Sequence, residues 1–201
     1  RQTGIIAGMS GSPVYVNGRL AGAIAFSWLF PKEPIAGITP IEEMLSSWRQ
    51  KEPTEKAPAS SEYLLPAPVK VGNREIRRLV VHRMMPCSRP EFAPRDTGHL
   101  IPAGGLLLAG GFGGRSLKRL QEVFEPYGCV LLPAGGASPA PAAPAEMEPG
   151  AAVGEEFMSG DFTVAGIGTL TYREGNRILA YGHDVLGAGP VDFPLVSGYI
   201  H

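Results

Sequence analysis

The chain is short of charge and of cysteine, and no apolar run in it is long enough to cross a bilayer. Asp, Glu, Lys and Arg make up 18% of its 201 residues and nearly cancel, leaving a net charge of −1. That balance gives no global electrostatic pull toward nucleic acid or an anionic membrane surface. Charge this sparse also predicts that some of the surface is covered by chain outside these residues. The only two cysteines, Cys87 and Cys129, lack metal-ligand spacing, and a disulfide between them is an option only for an exported protein. No Gly-Lys-Ser/Thr ending follows the glycine-dense segment Ala103–Gly114, which argues against a phosphate-binding P-loop. No targeting segment opens the chain: Arg1-Gln2-Thr3-Gly4 and Tyr199-Ile200-His201 both read as cuts into a longer polypeptide.

Glycine (27) and proline (20) are abundant, which favours turn-rich β structure over a helical bundle. Asn17-Gly18 between Val14-Tyr15-Val16 and the run Leu20–Phe26 predicts a hairpin on a type I′ turn. A loop through Pro31–Pro34 follows. Thr39, Pro40 and Glu42 then predict a helix to about Trp48, with Thr39 as its cap and Ile41, Met44, Leu45 and Trp48 on one face. Arg49–Ser61 reads as linker and Arg78–Met84 as a strand. Ser116 is expected to cap a helix over Leu117–Phe124 that stops before Gly128, with a short strand at Cys129–Leu132. Pro133–Pro149 reads as a flexible connector. The last third regains order. Phe162–Tyr172 and Arg177–Tyr181 form a hairpin around Arg173–Asn176, ending in Gly182-His183-Asp184, and Gly187–Pro194 is a turn-rich loop.

Two stretches carry chemistry. Gly8-Met9-Ser10-Gly11-Ser12-Pro13 places a serine between glycines, where the backbone turns sharply and approaches a ligand closely. Such a loop presents a hydroxyl, and the N–H groups of Gly8 and Ser10 can converge on one oxyanion. A plain turn is an equal reading for those six residues alone. A nucleophilic serine needs a base, and histidine suits that role near neutral pH. Of four histidines, His82 lies in an apolar strand and reads as structural. His99, beside Arg95 and Asp96, reads as solvated surface, and His201 is terminal. His183 stands at a sheet rim, where an imidazole is as often ordinary surface as it is a base.

Taken together, the serine loop and the hairpin from Gly166 to His183 resemble the SpoIVB-type serine peptidases, a bacterial family with distant likeness to trypsin-like proteases. The likeness covers about Thr3–Leu45 and Pro149–His201, and nothing in Gln50–Glu148 adds to it. It implies a mainly β, trypsin-like (chymotrypsin-like) double β-barrel with a few short helices and long loops. The serine-bearing segment (1–49) and histidine-bearing segment (149–201) flank a linker and variable middle (50–148). It implies Ser10 as nucleophile, His183 as general base, and Gly8 and Ser10 as the oxyanion hole, with no cofactor or metal. It further implies a protein or peptide substrate, or the remainder of the same polypeptide, as partner, and a setting outside the cytoplasm of a bacterium (periplasmic, membrane-associated or secreted).

Two departures accompany the likeness. The histidine block comes first in the sporulation members and last here, a permuted order that geometry tolerates. The family's triad acid would fall before Arg1. Asp184 adjoins His183, but adjacent strand side chains point apart, which makes it a poor substitute, while Asp192 is freer to reach the site with nothing that ties it there. Without an acid the imidazole tautomer is expected to be uncontrolled, and in a well-studied triad that loss lowers kcat about 10⁴-fold. The alternative is a catalytically inactive peptide-binding module on the same β scaffold. A weaker third reading is a structural domain in which both motifs are tight turns.

Overall fold

Asn17 and Gly18 adopt φ of 51° and 75°, the two left-handed residues that a type I′ turn requires. They join β1 (Pro13–Val16) to β2 (Arg19–Trp28), as the sequence predicts. The structure, a computed structural model, describes residues 5–28, 35–49, 58–85, 94–134, 146–187 and 189–198. Of these, 51% lie in strands and 12% in helices. The protein is mainly β, built on two curled six-stranded sheets that form a half-barrel.

The first sheet grows around β2. On one side lies β3 (Ala36–Pro40); on the other, β1 meets its first half and β6 (Thr97–Pro102) its last residues. The hairpin of β4 (Ser60–Val71) and β5 (Arg74–His82) extends the sheet through β6, giving the order β1-β2-β6-β5-β4. Its core joins Trp28, Ile76 and Leu100. A Cβ at Gly98 would stand 2.1 Å from the Trp28 ring, so the indole occupies a slot that only a glycine leaves open.

The second sheet has the order β12-β9-β10-β7-β8, with β11 on the end of β10. β7 (Leu106–Gly110) and β8 (Val130–Pro133) are parallel neighbours, joined by α2 (Gly114–Phe124) and a 3-10 turn closed by left-handed Gly128. β9 (Ala152–Met158) pairs with β10 (Thr163–Glu174) and with β12 (Leu195–Ser197). β10 alternates half-buried and buried positions, the pattern of a strand with one face inward. β11 (Arg177–Ala180) returns along it from a turn at Gly175-Asn176.

Helix α1 (Ile41–Ser46) pins the sheets together. Met44 is buried between Ala23 of β2 and Leu179 of β11, with Ile41, Leu45, Trp48 and Tyr172 packed around them. The Trp48 indole N–H donates to Ile178 O at 3.4 Å, and the Arg177 guanidinium lies 5.3 Å from its ring centre.

Several expectations need correcting. Thr39 does not cap α1. It is held in β3 opposite Ala23, and its hydroxyl donates to Gly182 O at 2.6 Å, leaving Pro40 at the cap position. The helix is shorter than expected and ends in single turns through Arg49. Ser116 sits inside the first turn of α2, because Gly113 O already accepts the Leu117 N–H at 2.9 Å and moves the start upstream. β5 begins four residues before the expected strand and stops at His82. β4, β7 and β9 come from stretches whose proline, glycine or glutamate content hides strand periodicity, and the described part of residues 50–148 supplies five strands, β4 to β8. The loop Pro31–Pro34 and most of the linkers expected at 49–61 and 133–149 lie outside the described residues, as do Cys87 and His201.

Replacing Gly98 with Ala should destabilise the fold by about 1–3 kcal/mol, the usual cost of overpacking a core. Urea denaturation followed by tryptophan fluorescence reads this directly; a change under about 0.5 kcal/mol, typical of a surface site, would show that the Trp28 slot is not closed.

Candidate functional site

The serine loop is pressed onto the second sheet. Gly11 has φ of 92°, and a Cβ there would fall 2.0 Å from Thr169 O and 2.5 Å from Tyr181 N. No other residue fits. Around it, Thr169 N–H donates to Ser10 O at 2.9 Å, and the hydroxyls of Thr169 and Thr171 donate to Gly8 O and Gly11 O at 3.1 and 2.7 Å. Alternate residues of β10 thus use one face to hold the loop. Ser10 is 1% exposed, and its hydroxyl donates to the backbone carbonyl of Tyr181.

The sequence makes Tyr181 merely the last residue of a strand, whereas β11 ends one residue earlier. It lies just past β11 with φ of 65°, a left-handed conformation rare for an aromatic residue, and Gly182 N–H donates back to Ala180 O at 2.8 Å. That is a strained three-residue turn, of a kind that persists only where surrounding contacts impose it. Its ring supplies them. It lies where a Cβ on Gly168 would stand, and its hydroxyl donates to Gly166 O at 3.3 Å. Burial pushes the phenol pKa up, helped by the Glu155 carboxylate. The available signal was the pair of glycines at 166 and 168, two residues apart on one face of a strand and facing an aromatic.

His183 follows two residues after that carbonyl. Its Nδ1 lies 2.8 Å from Asp184 O. A carbonyl only accepts, so Nδ1 carries the proton and, in the neutral ring, Nε2 holds the lone pair. Nε2 is buried and has no hydrogen-bond partner among the described residues. Burial lowers the His183 pKa, outweighing the Asp184 carbonyl and carboxylate, which act to raise it. The expectation of an uncontrolled tautomer is therefore corrected: the main chain of Asp184 fixes it. The Asp184 carboxylate is exposed and 3.9 Å from Arg83, while Asp192 lies exposed in the loop before β12.

Ser10 and His183 are thus brought to one seam, but no hydrogen bond joins them, because the Ser10 hydroxyl is engaged by Tyr181. Among the described residues, no hydrogen bond uses the N–H of Gly8 or Ser10. His183 lines a groove of about 640 Å³ bounded by β3, α1 and the inner face of the first sheet. His99 is not a surface loop residue. It lies half-buried in β6 with its Nδ1 3.0 Å from His82 Nε2, and both imidazole pKa values are lowered, chiefly by burial. Among the described residues, no group of three or more His, Cys, Asp or Glu is placed to hold a metal, and no helix is long and apolar enough to cross a membrane. Fold and site together define a mainly β protein in which a serine loop and a histidine turn meet where two sheets join. Beyond that class, comparison with known proteins gives no match, either to a family model, to a curated protein or to a solved structure.

An imidazole whose pKa drops on folding binds fewer protons than it does in the unfolded chain, so acid favours unfolding below the ordinary value of 6.5. Stability should level off above pH 6.5 and fall below it, and His183→Gln should lessen that fall, the remainder coming from His82 and His99, whose pKa values burial also lowers. Nitrogen-15 NMR of the imidazoles should find the Nδ1–H tautomer for His183. An Nε2–H tautomer, or an unchanged slope in the variant, would contradict this assignment.

Proposed function

We propose that this chain carries a serine peptidase site, with Ser10 as nucleophile and His183 as general base, in a permuted relative of the SpoIVB-type and trypsin-like peptidases. One observation carries the reading. Segments 171 residues apart meet so that Ser10 Oγ touches the carbonyl two residues ahead of a histidine whose Nε2 is free to take a proton. In the reaction, Ser10 Oγ attacks the substrate carbonyl as its proton passes to His183 Nε2. The N–H groups of Gly8 and Ser10 receive the oxyanion, and His183 returns the proton to the leaving amine. Water then releases the acyl group by the same route. Before the first step the Ser10 hydroxyl must leave the Tyr181 carbonyl, so the arrangement described is a latent one. The substrate on this reading is a protein or peptide, including the chain's own remainder, and the setting is extracytoplasmic in a bacterium. The two curled sheets are in keeping with a two-barrel ancestry; the parallel pairs β5/β6 and β7/β8 are departures from it.

The burial of Ser10 favours a second reading, an inactive module that binds peptides without cleaving them. A fluorophosphonate probe separates the two. On the peptidase reading it labels Ser10, labelling is lost in Ser10→Ala, and His183→Ala slows it by about 10²- to 10⁴-fold, the usual worth of a general base. Tyr181→Ala, which removes the ring that holds the turn but keeps its backbone strain, should speed labelling. If neither the native protein nor Tyr181→Ala is labelled while both remain folded, the peptidase reading fails.

A further inference from the structure

Among the described residues, the groove beside His183 has an unmatched strand edge on one side and an apolar floor on the other. Ile24 in β2 spends both backbone groups on the serine loop, donating to Ser12 O at 2.9 Å and accepting from Gly11 N–H at 2.8 Å. In antiparallel pairing, the N–H and C=O of one residue point the same way, and the direction alternates along the strand. Ala23 therefore faces β3 and exchanges bonds with Thr39. Ile38, opposite Ile24, turns its N–H and C=O to the outer edge. Among the described residues β3 pairs with β2 alone, and at the far end of the sheet β4 pairs with β5 alone. The curl of the sheet brings these two end strands to one groove, with Ile38 on one wall, Tyr63 on the other, and Leu79, Val81 and Leu100 between them.

We propose that this groove binds an extended peptide segment, which pairs through its main chain with Ile38 at the edge of β3 and buries one large apolar side chain against Leu79, Val81 and Leu100. A free strand edge is completed by another extended backbone, and alternate side chains of the added strand enter whatever pocket lies beneath it. A small apolar ligand would leave the Ile38 groups unmatched. A second copy of the chain would need about 800 Å² on each partner, whereas about 640 Å³ is the scale of a cleft for a short segment. The charged rim also selects. Arg83 and Asp184 lie 3.9 Å apart and offset each other, and Glu43 adds negative charge, so an acidic anchor is the least favoured. The Thr39 hydroxyl bonded to Gly182 O ties this edge to the His183 turn, so the bound segment lies beside the imidazole. The inference rests on reading the site as one that handles peptides, but not on Ser10 being reactive.

The test uses Ser10→Ala in the full chain, so that no peptide is consumed. Capped pentapeptides Thr-Thr-Xaa-Thr-Thr, with Phe, Leu, Gly or Glu at Xaa, are titrated by calorimetry and NMR. The Phe and Leu peptides should bind about 10- to 100-fold more tightly than the Gly and Glu peptides, the span expected for burying one apolar side chain. N-methylation of backbone amides, placed singly along the Phe peptide, should weaken binding at least tenfold at one or more positions, and Tyr63 and Ile38 resonances should shift. Absence of binding at millimolar concentration, equal affinity for all four peptides, or indifference to every N-methylation would each overturn the proposal. Probe labelling of Ser10 with no peptide binding would remove the groove and leave the peptidase reading standing. Selective binding without labelling would do the reverse.

Discussion

A single hydroxyl-to-carbonyl bond, from Ser10 to Tyr181, joins residues 171 apart at the seam where the two sheets meet. It works because its neighbours leave no alternative. Gly11 fits its backbone against Thr169 and Tyr181 with no room for a side chain, and the threonines of β10 hold the loop carbonyls on either side. Each such bond contributes about 0.5–1.5 kcal/mol net, and the cost of leaving its buried groups unpaired is larger. The seam is therefore specified more by what would be orphaned than by what is gained. Helix α1 repeats the logic in apolar terms, with Met44 buried between strands of both sheets.

The same bond bears on the chemistry through Tyr181. A left-handed non-glycine residue costs about 1–3 kcal/mol, close to the worth of the hydrogen bond its carbonyl accepts. Releasing Ser10 would relieve some of that strain but leave buried groups unpaired, and the aromatic ring wedged over Gly168 weights the holding side. A substrate strand on β3 would act on this balance directly, since Thr39 in that strand is bonded to Gly182, the residue after the strained tyrosine. On the peptidase reading, occupancy and activation are then coupled through three consecutive residues, 181 to 183.

Much of this was legible in the sequence where local rules suffice. Asn17-Gly18 specifies its turn by itself, Gly128 stops the segment after α2, and the hairpin that ends at His183 follows from alternation. What stayed hidden depends on distant partners. Thr39 has every local mark of a helix cap, yet a carbonyl 143 residues away takes its hydroxyl. His99 reads as surface because its charged neighbours are close in sequence, while its partner His82 comes from the adjacent strand. Strands β4, β7 and β9 carry prolines, glycines or glutamates, which local propensity assigns to turns or helices and which only the neighbouring strands hold in a sheet. The serine and histidine motifs could be paired from sequence; the tyrosine between them could not, since its conformation is imposed from outside.

On the peptidase reading, the question of a triad acid looks different once the tautomer is traced. An aspartate in such a site does two things: it selects the Nδ1–H form of the imidazole and orients the ring, and it stabilises the cation that forms during proton transfer. The Asp184 carbonyl performs the first, holding Nδ1–H at 2.8 Å and leaving Nε2 toward the interior. A neutral carbonyl performs the second only weakly, and desolvation works against the imidazolium, as the lowered pKa of His183 reflects. A base tuned this way stays neutral and available at mildly acid pH but gains less from each proton it accepts. The main chain has thus taken over the geometric half of the acid's work and left the electrostatic half undone, which on the peptidase reading confines the site to slow chemistry unless a carboxylate from elsewhere reaches Nδ1.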